Sequence, residues 1–163
     1  MVKLIVTDID GTLLHDHATD IDFRYFELIR KMKARGVLFC VASGRQYESL
    51  RKLFAPVKDD IIYITENGAE IIYQNKCIFS MPMSMEVSRQ LVIDTREIPE
   101  AESMYCVGDR AYFEKNDLKV YRLMKDEYHF KCEMVEDLLK LNIPCLKFSL
   151  YLPENVDDIT EKY

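Results

Sequence analysis

The first 65 residues alternate between two patterns, and that alternation constrains the fold more tightly than anything else in the chain. Residues 3–7, 37–42 and 60–65 are short apolar, β-branched runs, the signature of strands buried in a parallel sheet. Between the first two, Tyr25, Leu28, Ile29 and Met32 recur at helical spacing. Asp20 or Asp22 is placed to cap that helix and Gly36 to stop it. Residues 46–54 read as a second helix, ended by Pro56. Strand, helix, strand, helix, strand predicts an α/β fold, a parallel sheet with helices on both faces. Asn67-Gly68 then predicts a hairpin turn between residues 61–64 and 71–73, and residues 74–76 another before a short strand at 77–79.

The pattern changes at Pro82, which gives expected domains at residues 1–82 and 83–163. In the second, residues 84–97 read as a helix capped by Ser84, and 102–107 with 111–114 as a hairpin around Gly108-Asp109-Arg110. Residues 116–128 follow as a helix with Leu118, Tyr121, Met124 and Tyr128 on one stripe. A strand at 145–152 and a short helix opened by Pro153 complete an α+β unit. With 48% hydrophobic residues the chain can build real cores, yet no apolar run approaches a membrane span. The opening residues do not read as a signal peptide, which needs a longer apolar region and a small-residue cleavage site. The five cysteines are scattered, with no C-x-x-C pair, which predicts free thiols in a reducing, cytoplasmic setting. A net charge of -6 without any basic run argues against nucleic acid and anionic membrane as partners. An anionic substrate would then need local help from a metal ion or a helix N-terminus.

The sharpest chemical feature is Asp8-Ile9-Asp10-Gly11-Thr12-Leu13-Leu14, directly after the first strand. Ligands of open α/β sheets bind at the carboxyl ends of strands. Two carboxylates two residues apart point the same way while the chain is extended, and Gly11 lets the backbone turn off without a side chain over the site. Such a pair suits Mg²⁺, a hard cation with oxygen ligands. It also suits a division into nucleophile and general acid–base. An Asp-rich turn that merely ends a strand is the plainer alternative, and the position, the spacing and the following Gly11-Thr12 argue against it. Ser43-Gly44-Arg45 follows the second strand and Glu66-Asn67-Gly68-Ala69 the third.

These three motifs, in this order on three successive strands, resemble those of the haloacid dehalogenase superfamily, and the last resembles a signature of its Cof-type phosphatase branch. The resemblance implies an incomplete Rossmann-like parallel-sheet core followed by part of an inserted α+β cap. It implies that Asp8 attacks phosphorus to form an aspartyl-phosphate. Asp10 then serves as acid and base, and Mg²⁺ sits between the Asp8 carboxylate and the Asp10 carbonyl. Amides around Gly11 and Thr12, and the Ser43 hydroxyl, are expected to hold phosphate oxygens. Ser43 also reads as a helix cap, Arg45 as a contact to the site or cap or as a surface residue, and Asn67 as a hairpin residue first. His15 and His17 read as exposed flap residues, and Asp109 and Asp117 as a hairpin turn and a helix cap.

The resemblance further implies a lysine after the cap and a glycine–aspartate pair that completes the metal site. No glycine follows Gly108, and Lys162 is the penultimate residue. The implied activity is hydrolysis of small phosphorylated metabolites, weak or absent in these 163 residues. An inactive, partner-binding remnant and a phosphomutase-like phosphotransferase stay open beside it. An incomplete sheet also implies an exposed edge prone to self-association.

Overall fold

The structure, a computed structural model, describes residues 2–15, 20–116 and 118–152. It divides into two compact units, Met1–Met81 and Pro82–Tyr163.

In the first unit five strands form one sheet in sequence order. They are β1 (Leu4–Asp8), β2 (Leu38–Ala42), β3 (Ile61–Thr65), β4 (Glu70–Tyr73) and β5 (Lys76–Ser80). β1, β2 and β3 run parallel, with Asp8 opposite Ala42 and Phe39 opposite Ile61. β4 and β5 continue antiparallel. The residues expected to form small hairpins beside a three-stranded core therefore extend that core's own sheet. The parallel strands are joined by α1 (Phe23–Ala34) and α2 (Tyr47–Leu53). Asp22 caps α1, its carboxylate accepting the Arg24 N–H at 2.9 Å, and Lys33 near its end pairs with Asp60 ahead of β3.

Both helices cover the same face. Ile29 of α1 and Leu50 of α2 share one cluster with Phe39, Val41, Ile61, Tyr63 and Ile72. Two right-handed crossovers stepping in the same direction place their helices on one side, which corrects the expectation of helices on both faces for the described residues. Strand alternation sends Leu4, Val6 and Leu38 to the other face, where they are 47%, 52% and 39% exposed.

The second unit is a four-stranded sheet in the order β8-β7-β6-β9. Its strands are β6 (Glu102–Cys106), β7 (Ala111–Glu114), β8 (Cys132–Val135) and β9 (Lys147–Tyr151), with helices α3 (Met85–Arg96) and α4 (Leu118–Arg122). β6 is buried throughout because both its faces are packed. Met104 and Cys106 join Val120 of α4, whereas Tyr105 joins Val92 of α3. Ser84 caps α3, accepting the Val87 N–H at 3.2 Å. The single helix expected over 116–128 is α4 followed by a π-helical turn, Leu123–Glu127, and His129 closes it with φ +55°. Buried Glu102 accepts the Val120 N–H at 2.8 Å, which ties α4 to the sheet. β8, parallel to β7, was not expected from the sequence. His17, Asp117, Lys162 and the helix expected from Pro153 lie outside the described residues. No helix among the described residues is long and apolar enough to cross a membrane.

Candidate active site

Because β1 and β2 end level, with Asp8 opposite Ala42, Asp8 and Ser43 lie at the carboxyl ends of neighbouring strands. The Ser43 N–H donates to the Ile64 carbonyl at 3.0 Å, and its carbonyl accepts the Asn67 N–H at 3.2 Å. The Glu66 N–H donates to the Arg45 carbonyl at 3.3 Å. The three motifs read from the sequence thus meet along one end of the sheet, the second and third stitched together by main-chain hydrogen bonds.

The turn after β1 is self-contained. Ile9 is fully buried, and its carbonyl accepts N–H groups from Thr12, Leu13 and Leu14 at 3.1, 2.9 and 2.9 Å. The Gly11 N–H donates to the Leu14 carbonyl at 2.8 Å, at a φ of +79° that favours glycine. The amides of Gly11 and Thr12 are therefore already donors within the turn. These are the amides that the resemblance expects at phosphate oxygens. Ser43 differs from one of its two readings. The residue capping α2 is Gln46, with no side-chain cap bond, whereas Ser43 Oγ accepts the Arg45 N–H at 3.1 Å. That bond uses an oxygen lone pair and leaves the hydroxyl proton to be donated.

Arg45 grips Asp10. Its Nε donates to Oδ2 at 3.1 Å and its Nη2 to Oδ1 at 2.6 Å, a two-pronged pairing of the kind guanidinium and carboxylate form best. The sequence left Arg45 between site and surface. The side chain is mostly covered, and Asp10 is about half exposed. Asn67 proves more than a hairpin residue. It sits in the left-handed region at φ +58°, and its side chain lies so close to Gly44 that a Cβ there would meet Asn67 Oδ1 at 2.5 Å. Glu66 beside it is also left-handed, at φ +50°, and its carboxyl is buried. Sequence reading missed that burial, since a glutamate in a turn signals exposure.

The donor chemistry at the strand ends fits a hard cation. The Asp8 carboxylate and Asp10 carbonyl are oxygen ligands of the type Mg²⁺ takes, and Mg²⁺ keeps several waters when protein ligands are few. The described residues contain no group of three His, Cys, Asp or Glu side chains placed to hold a metal. His15 is exposed and lines a depression with Asp20, Ile21 and Phe23 that includes neither Asp8 nor Asp10. Asp109 pairs with Arg110 and Lys131 in the second unit, as a hairpin-turn carboxylate does.

Comparison with known proteins bears on the same residues. The model of the haloacid dehalogenase-like hydrolase family matches residues 5–163. The chain is 30% identical over 155 residues to the 5-amino-6-(5-phospho-D-ribitylamino)uracil phosphatase YbjI of Escherichia coli, covering 95% of this chain and 57% of that protein. A crystal structure from Eubacterium rectale superimposes with a TM-score of 0.86 at 31% identity, over 97% of this chain and 60% of that one. A HAD/COF-like hydrolase from Plasmodium vivax shares the fold, with a TM-score of 0.77 at 16% identity, over 93% of this chain and 56% of that one. The chain thus spans little more than half the length of the relatives it matches. With its strand-end aspartates, its serine turn and a family match over nearly every residue, the chain belongs to the haloacid dehalogenase-like hydrolases.

Proposed function

We propose that the site belongs to a Mg²⁺-dependent phosphatase of small phosphorylated metabolites, of the Cof type, working through an aspartyl-phosphate on Asp8. The observation that carries this reading is the level ending of β1 and β2. It puts a carboxylate, a second carboxylate two residues on and a hydroxyl at one sheet end. An Asp8 oxygen attacks phosphorus, and the bond to the leaving oxygen breaks as that oxygen takes a proton from Asp10. Water then attacks phosphorus, Asp10 accepts its proton, and the bond to Asp8 breaks to release phosphate. Ser43 Oγ donates to a phosphate oxygen. Bound Mg²⁺ would offset the like charge of Asp8 and phosphate.

No glycine follows Gly108, so the glycine–aspartate pair implied by the resemblance is not within these residues. Phosphoryl transfer depends mostly on positioning and electrostatics, and loss of one such contact costs about 100- to 1,000-fold in rate. The expectation for these residues by themselves is weak turnover. The same observation supports the second reading, a form that binds without turning over. Turnover of p-nitrophenyl phosphate should be slow, require Mg²⁺ and disappear in Asp8→Asn. Borohydride reduction during turnover should convert residue 8 to homoserine. A chain that hydrolyses the ester equally well as Asp8→Asn would refute the assignment.

A further inference from the structure

We infer that Arg45 is a positioning residue, whose two-pronged grip aims the Asp10 carboxylate at the water that hydrolyses the aspartyl-phosphate. The inference deepens the phosphatase reading and rests on it. Asp10 stands on a turn after β1 whose other members are fixed. Ile9 is buried, and its carbonyl gathers three N–H groups. The Asp10 side chain itself is about half exposed, and an exposed aspartate samples several rotamers. Arg45 removes that freedom from 35 residues away, with one nitrogen on each carboxylate oxygen.

Arg45 is in turn held by its backbone. Its N–H bonds Ser43 Oγ, its carbonyl accepts the Glu66 N–H, and its side chain is largely covered. The guanidinium thus links the loop after β1 to the loop after β2 across the mouth of the site. Its two bonds engage both Asp10 carboxylate oxygens. Each oxygen keeps a lone pair beyond the one Arg45 engages. The step is simple to balance. Water oxygen bonds to phosphorus, one water proton passes to Asp10, and the phosphorus–Asp8 bond breaks to give phosphate and free carboxylate.

Acetyl phosphate provides the test on the full chain, because its acetate leaving group needs no proton and Asp8 can be phosphorylated without Asp10. After Mg²⁺-dependent labelling the donor is removed, and the decay of the Asp8 adduct is followed by mass spectrometry. Arg45→Ala should lengthen the adduct's lifetime about 10- to 100-fold, the scale of losing aim on a general base. Asp10→Asn should lengthen it at least as much, and the double variant should be no slower than Asp10→Asn alone. Arg45→Lys keeps the charge but cannot fork, and should also be slow. Additive slowing in the double variant, a wild-type lifetime in Arg45→Lys, or failure of either Arg45 variant to become labelled would each overturn the inference while leaving the phosphatase reading standing. An unlabelled wild-type chain would instead overturn the phosphatase reading, and this inference with it.

Discussion

At the scale of single residues, the contact between Gly44 and Asn67 makes the most direct prediction. Gly44→Ala drives a methyl group against Asn67 Oδ1 and should cost about 1–3 kcal/mol, as overpacking does. Asn67→Gly removes the obstructing atom and tolerates the positive φ. The double variant should therefore lose clearly less than the sum of the two, as denaturant melts would show. The cysteines make a second prediction. Burial pushes the Cys40 thiol up to about 11 and raises Cys132 similarly. Cys77 is the exposed one, and its thiol is also raised, by partial burial and then by Glu70. A raised pKa means less thiolate at neutral pH. Iodoacetamide should thus modify Cys77 first but slowly at pH 7.5, and faster as pH rises. Rapid modification of Cys40 in the folded chain would contradict this. The placement of Asp8, Asp10 and Ser43 beside the strand ends was legible because strand ends and short motifs are local. The Arg45–Asp10 pair and the burial of Glu66 were not, since they depend on which loops the sheet brings together.

At the scale of elements, local signals worked where an element carries its own start and stop. Ser84 reads as a cap and is one, so Ser84→Ala should destabilise the second unit by about 1 kcal/mol, the usual value of a lost N-cap. Calorimetry in which the variant melts unchanged would refute this. Local signals failed where partners decide. β8 is a four-residue strand, Cys132–Val135, that contains Glu133 and lies close after a helical turn. Only its pairing with β7 makes it a strand. The segments around Asn67-Gly68 and residues 74–76 were correctly read as turns. That their strands continue the parallel sheet is a matter of register, which no local pattern states. The side on which α1 and α2 lie follows likewise from the order of the strands rather than from either helix.

At the scale of the whole molecule, the face of the first sheet opposite α1 and α2 presents Leu4, Val6 and Leu38 to solvent. Among the described residues β1 has a strand on only one side. Exposed apolar faces and open strand edges recruit partners. We therefore propose self-association through this surface. Light scattering should show mass rising with concentration, and more so with added salt, because the net charge of -6 repels copies at low ionic strength. A monomer at every concentration would contradict it. The same edge position bears on how the molecule opens. Backbone protection follows burial and pairing, and β1 has little of the first and one side of the second. Amide hydrogen exchange in β1 should outpace that in β2 and β3. Asp8 rides on that strand, so the proposed nucleophile would be lost by local opening while the sheet behind it is still intact, and warming should silence the chemistry before it melts the fold.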